Sequence, residues 1–217
     1  MALLPGCASR GSALSETLAA LYAQTMGAPS AIPAAPDARL RYLRVEVAGH
    51  APGLLVLGYV DPHPQGEIEV WYSAAHEVIK TQNGRVVGTA GLETDWVAVR
   101  FPSSPPAWAL VGPGGTTYQR VRDQMPGYQY ELADQLTLTP WTGLPAIALP
   151  PSLSPTQART YRWFREAPLA SNGGALAPSW YAWGMHLGVA TVVYSEQCLS
   201  PTLCLKLQRW PVQEEAF

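Results

Sequence analysis

From residue 39 onward, apolar and polar residues alternate in short runs, which is the period of half-buried β-strands and not of a helix. Residues 39–47 alternate with one phase slip at Tyr42 and Leu43, which predicts a strand carrying a bulge. Residues 54–60 form a brief apolar run stopped by Asp61-Pro62-His63-Pro64. The strongest local pattern follows over 67–73, 77–81 and 85–89, with Asn83-Gly84 linking the last two. Such a two-residue link needs positive φ at both positions, and Asn-Gly is the favoured pair for it. Further strands are predicted over 95–101, 107–111, 116–123, 128–139, 180–184, 188–195 and 202–210. Short runs at this spacing indicate an all-β, mainly antiparallel domain, built as a barrel or a sandwich.

Two segments carry helical spacing instead. Residues 12–26 place Leu14, Leu18, Leu21 and Tyr22 on one face and stop at Gly27, the pattern of one short amphipathic helix. Ser154-Pro155 is a cap and first-turn pair, and 156–166 set Ala158, Tyr161 and Phe164 against Arg159, Arg162 and Arg165, which predicts a late helix. The proline-bearing stretch 28–37 reads as a tether, 144–155 as an extended linker, and 168–178 as a Gly- and Ala-rich loop.

Composition narrows the function classes. The 217 residues are 47% hydrophobic and only 14% charged, against about a quarter charged in an ordinary domain, so charge-driven disorder is excluded. The net charge of −2 leaves no cationic excess for a nucleic-acid partner. No run approaches the roughly 20 apolar residues of a membrane-spanning helix, and the folded body is expected to be soluble.

Motifs for chemistry are sparse. There is no Gly-x-Ser-x-Gly elbow and no Cys-x-x-Cys. His50, His63, His76 and His186 are too dispersed for a helical zinc pair, and Gly112-Pro113-Gly114-Gly115 reads as a turn. No catalytic residue, cofactor or metal site is therefore expected. Glu67 with Glu69, or Glu93 with Asp95, could share a strand face and form the carboxylate pair of a glycan-active enzyme; solvated surface acids are the alternative. Most of the eight tryptophans and ten tyrosines fall in predicted strands and are expected in the core. Trp180, Tyr181 and Trp183, near a loop edge, are the candidates for stacking on a sugar.

Three cysteines complete the inventory. Cys7 follows Leu4-Pro5-Gly6 and resembles the end of a bacterial lipoprotein signal, although Pro5 stands where a small residue is usual; an ordinary free thiol is the alternative. Cys198 and Cys204 flank a turn-like insert between β-rich runs. They could pair across a hairpin in an oxidising compartment, or remain buried thiols in a reducing one. The expected organisation is a region 1–37, with lipobox-like start, helix and tether, followed by an antiparallel β domain over 38–217.

The run Trp71-Tyr72-Ser73, Glu77-Val78-Ile79-Lys80-Thr81, Asn83-Gly84-Arg85-Val86-Val87, Thr89, Gly91-Leu92 and Asp95 resembles the YjbF/GfcB family of bacterial lipoproteins, encoded with exopolysaccharide and group-four capsule export systems. Val193-Tyr194-Ser195-Glu196-Gln197, Pro201 and the strand around Lys206 are similar to the family's C-terminal end. The resemblance implies a β-barrel-like, non-enzymatic accessory of polysaccharide secretion. It implies lipidation at Cys7 and a place on the periplasmic face of the outer membrane, with Ala8, not Asp, after the cysteine. The partners it implies are an outer-membrane β-barrel protein and a soluble periplasmic protein, with the polysaccharide as a further ligand. A periplasmic glycan-active enzyme and a carbohydrate-binding module are the alternative readings.

Overall fold

The structure, a computed structural model, describes residues 37–212. Twelve strands follow one another: β1 (Tyr42–Val47), β2 (Gly53–Asp61), β3 (Ile68–Tyr72), β4 (Val78–Gln82), β5 (Arg85–Ala90), β6 (Asp95–Arg100), β7 (Thr116–Met125), β8 (Gln129–Trp141), β9 (Arg162–Ser171), β10 (Ser179–His186), β11 (Val189–Cys198) and β12 (Cys204–Trp210). All ladders are antiparallel, and the sheet order is β5-β4-β3-β2-β1-β12-β11-β10-β9-β8-β7-β6. The two end strands, β5 and β6, are consecutive in the chain and face each other, so the sheet curls into a nearly closed barrel and not a sandwich. Cys7 and the helix predicted over 12–26 lie outside the described residues.

Period-two alternation selects the inner face. Leu43 and Val45 of β1, Leu55 of β2, Trp71 of β3, Ile79 of β4, and Leu205 and Leu207 of β12 form one half of the interior. Tyr118, Leu136, Leu138, Phe164 and Tyr181 fill the other. Asn83 and Gly84 both take positive φ, 50° and 79°, as the predicted hairpin requires. Gly84 is needed for a second reason: a Cβ there would stand 2.3 Å from the Val192 Cβ.

No backbone ladder joins β5 to β6, and side chains serve the two unpaired edges. At the turn end, Thr89 Oγ1 donates to Asp95 Oδ1 (2.8 Å) and accepts from the Trp96 N–H (3.0 Å). At the middle, Gln197 reaches across from β11: its Oε1 accepts from the Val86 N–H and its Nε2 donates to the Gly84 carbonyl, each at 2.9 Å. At the far end, Gln65 Nε2 donates to the Phe101 carbonyl (3.0 Å). One carboxamide thus imitates the donor and acceptor of a missing strand.

Several expectations are corrected. The late helix is a single turn, α1 (Pro155–Ala158), capped by Ser154, whose Oγ accepts from the Gln157 N–H. Residues 159–161 turn and 162–166 enter β9, because Trp163 and Phe164 both need burial on opposite faces: Phe164 points into the barrel, and Trp163 lies under the strap 144–158. That strap is the predicted linker; Leu144, Ile147, Leu149 and Leu153 pack over Trp163, Ala182, Val193 and Tyr194. The strand predicted over 107–111 is a 3-10 turn, Trp108–Leu110, and Trp108 folds inward so that its Nε1 donates to the Asn83 carbonyl (2.9 Å). The bulge predicted at Tyr42 and Leu43 is absent, since β1 keeps continuous register with both neighbours. Both residues are buried because each face of β1 is covered there, Tyr42 by the chain at Asp37, whose N–H donates to its hydroxyl. The first residues of the predicted loop 168–178 belong to β9.

Candidate functional site

The barrel interior is charged as well as apolar. On β7 the inward positions after Tyr118 are Arg120 and Arg122, and both guanidinium groups donate to Asp134 Oδ2 of β8, with Nε distances of 3.0 and 2.9 Å. Ser171 donates to the other carboxylate oxygen. Burial alone would raise the Asp134 carboxyl; Arg120, Ser171 and Arg122 overcome that and hold it below the ordinary range. Beside this cluster, Arg85 Nε donates to the Tyr118 hydroxyl (2.9 Å) and to Glu166 Oε2 (3.2 Å), and its guanidinium carbon lies 4.0 Å from the Trp108 ring centre. Tyr118 donates to Glu166 as well. Burial, reinforced by Glu166, pushes the hydroxyls of Tyr118 and Tyr181 upward, so both remain protonated donors. Every one of these carboxylates is sealed and engaged, so the network specifies the packing of the barrel and presents nothing to a substrate.

Two of the cavities open at the ends of the barrel. At the end where β1 begins and β12 finishes, a cavity of about 490 Å³ sets the charged or ionisable side chains of Arg41, Glu67, Glu69, His186 and Arg209 among apolar ones such as Leu40, Val189 and Trp210. Arg209 clamps Glu69 with both terminal nitrogens, Nη1 to Oε1 at 2.8 Å. Thr81 Oγ1 donates to Glu69 Oε2 (3.1 Å) and accepts from the buried Trp71 indole (3.0 Å). Arg41 stands 3.8 Å from the same carboxylate. Partial burial and the Arg209 charge push His186 below its usual value against the opposing pull of Glu69. At the other end, where β1 turns into β2, a second cavity of about 540 Å³ has a mainly aliphatic lining. Beside it the Cys198–Cys204 disulfide staples β11 to β12 directly across the strand pair, so the two thiols are bonded.

The three aromatic candidates do not form one surface. Tyr181 is only 1% exposed and its hydroxyl lies inside the barrel between two acceptors, Gln197 Oε1 at 3.1 Å and Glu166 Oε1 at 3.3 Å, while Trp183, past a register shift, packs against the same interior. Only Trp180 is on the outer wall, in an edge-to-face pair with Trp141, ring centres 4.9 Å apart. Trp141 is 42% exposed, and nothing local in the sequence marks it, because only the β8–β9–β10 register brings it to Trp180. Each carboxylate pair lines one cavity, but its two members differ in their engagement. Glu67 is exposed while Glu69 is clamped by Arg209; Glu93 is exposed while Asp95 accepts from Thr89, Gly91 N–H and Leu92 N–H. The arginine stripe is divided likewise, with Arg162 Nη2 donating to the Val111 carbonyl (2.6 Å). Among the described residues no group of three or more His, Cys, Asp or Glu is placed to hold a metal ion.

Fold and site together define an antiparallel up-and-down, nearly closed β-barrel with a filled, ion-paired interior and a cavity at each end. Residues 16–143 match the family described as group 4 capsule polysaccharide lipoprotein GfcB, YjbF, and the chain belongs to that family. The same fold occurs in the crystal structure of the hypothetical lipoprotein YmcC from Escherichia coli K12, at a TM-score of 0.60 and 16% identity, over 95% of this chain and 100% of that one. No curated protein matches the sequence.

Proposed function

We propose that this protein is a non-catalytic accessory of capsule or exopolysaccharide secretion, anchored through lipid at Cys7 on the periplasmic face of the outer membrane. It works there beside an outer-membrane β-barrel protein and a soluble periplasmic protein of the export system. The observation that carries this reading is membership of a capsule polysaccharide lipoprotein family over more than half the chain. The Cys198–Cys204 bond supports an oxidising compartment. The engagement of Glu69 by Arg209, and of Asp95 by its own turn, supports a role without acid–base chemistry, since each candidate carboxylate pair retains one exposed member. The Trp141–Trp180 pair on the outer wall supports direct contact with the glycan, because an exposed indole face can pack on a sugar ring.

Gene deletion in a polymer-producing strain is expected to lower surface polysaccharide while synthesis continues. Wild-type protein and Glu93→Gln should restore it, and Cys7→Ser should not. Fatty-acid labelling that survives Cys7→Ser would remove the anchor. Shortening of the polymer by purified protein, abolished by Glu69→Gln or Glu93→Gln, would establish an enzyme instead.

A further inference from the structure

The end of the barrel at which β1 begins carries aliphatic side chains on three separate loops. Leu40 precedes β1, Leu110 stands on the 3-10 turn between β6 and β7, and Leu187 and Val189 stand at the turn from β10 to β11. They are 45%, 83%, 59% and 63% exposed. Leu40, Leu187 and Val189 line the cavity at this end together with Asn83, and the Asn83 carbonyl is the acceptor that fastens Trp108. The three loops therefore surround one mouth.

Two of these leucines are held out to solvent by their supports. Leu187-Gly188 makes a two-residue turn with φ of 51° and 76°, the geometry that Asn83-Gly84 adopts at 50° and 79°. Asparagine suits the first place of such a turn and leucine does not, so the turn does not account for Leu187, and at its exposure the core does not either. The Leu110 turn is fixed from both sides. Trp108 is fastened inward, and Arg162 donates to the carbonyls of Trp108 (3.5 Å), Ala109 (3.4 Å) and Val111 (2.6 Å).

Charge at this end is largely engaged within the protein. Arg39 is bound to Asp37, Arg41 stands beside Glu69, Arg209 clamps the same carboxylate, and Arg162 serves the carbonyls above. What the loops offer outward is aliphatic surface around a mouth, which suits the apolar boundary of a bilayer. The described chain starts at Asp37, on the lining of the same cavity. The stretch that leads back to Cys7 thus leaves the barrel at this end.

We propose that the barrel rests this end on a phospholipid bilayer, with Leu40, Leu110, Leu187 and Val189 dipping into the interface. The inference rests on the anchored-lipoprotein reading for its orientation and names the face turned to the membrane. Its test uses unlipidated protein, so its failure and that of the anchor are distinguishable.

In a Cys7→Ser background, Leu110→Cys carries a polarity-sensitive fluorophore, since Cys198 and Cys204 are bonded to each other. Protein-free vesicles of phosphatidylethanolamine and phosphatidylglycerol with brominated acyl chains should shift the probe to the blue and quench it. The same probe on Tyr128→Cys, in the β7–β8 turn at the opposite end, should show neither effect. In flotation of the unlabelled chain, Leu110→Ser should lower partitioning about three- to tenfold, the share of a half-immersed leucine, and raised salt should change it little. Leu187→Asn should lower it likewise while raising thermal stability, because asparagine suits the turn. An unquenched probe at position 110 would leave this end to a protein partner, and equal quenching at position 128, or partitioning indifferent to both substitutions, would mean that the chain meets vesicles elsewhere. Each of these results would overturn the assignment.

Discussion

Replacing Gln197 by alanine tests whether one side chain of β11 satisfies the unpaired edge of β5. In the wild type its Oε1 accepts from Val86 N–H and from the Tyr181 hydroxyl, and its Nε2 donates to Gly84 O and Ser195 Oγ. Alanine leaves the buried Val86 N–H and the half-buried Gly84 carbonyl without this partner, and β6 has no ladder bond to replace it. An unsatisfied buried group costs about 1 to 3 kcal/mol, and a partly exposed one less, so the expected loss is about 2 to 4 kcal/mol. That is a large share of the 5 to 15 kcal/mol typical of a domain. Urea unfolding under oxidising conditions gives the total, with the exposed Gln135→Ala as control. Amide exchange gives the location: Val86 and its β5 neighbours should exchange faster by more than the global destabilisation accounts for, while β8 should not. A loss under about 0.5 kcal/mol, or uniform exchange across both halves, would refute the view that Gln197 stands in for a strand.

Other consequences can be measured in the same way. Cys198→Ser, or reduction of the wild type, should cost about 2 kcal/mol, the chain-entropy value for a loop this short. Because Asp134 is held below its unfolded value, the unfolded chain takes up the proton first as pH falls. Its stabilisation is therefore complete above roughly pH 4 and disappears as pH drops through the folded-state value. Asp134→Asn should remove that part of the acid limb, and by taking away the carboxylate that buried Arg120 and Arg122 share should cost about 3 to 5 kcal/mol at neutral pH in chemical denaturation. Gly84→Ala should be more damaging than Gly49→Ala by about 1 to 3 kcal/mol, since both glycines have positive φ but only Gly84 has a neighbour where the new methyl would go.

The hairpins were legible wherever the turn chemistry is local. Asn83-Gly84 announces its own geometry, and the strands around it follow from period-two alternation. The segment after Ala158 was not legible, because Ala158, Tyr161 and Phe164 recur at helical spacing while the burial of both Trp163 and Phe164 depends on the strap arriving from outside. Hydrophobicity also misleads about the interior of β7, where Arg120 and Arg122 point inward; their acid partner sits on the next strand. Glu69 could be named as a candidate from its neighbour Glu67. Its clamp could not, since Arg209 is 140 positions away and meets it only through the β1–β12 ladder. The aromatic trio divided for a simple reason: adjacent strand residues face opposite sides of the wall, and Trp180 and Tyr181 are adjacent.

The barrel has two discontinuities, and they lie in different places. The chain is broken between β12 and β1, yet six residue pairs from Tyr42↔Trp210 to Val47↔Leu205 stitch that break into the middle of the sheet. The ladder is broken between β5 and β6, yet residues 91–94 tie that break covalently. Each weakness is spanned by the kind of bond the other lacks. A cut in the 91–94 turn would bring chain break and ladder break together, turning a closed wall into an open sheet with two free edges. A circular permutant joined through its native ends and opened there should consequently be the least stable of all permutants of this chain.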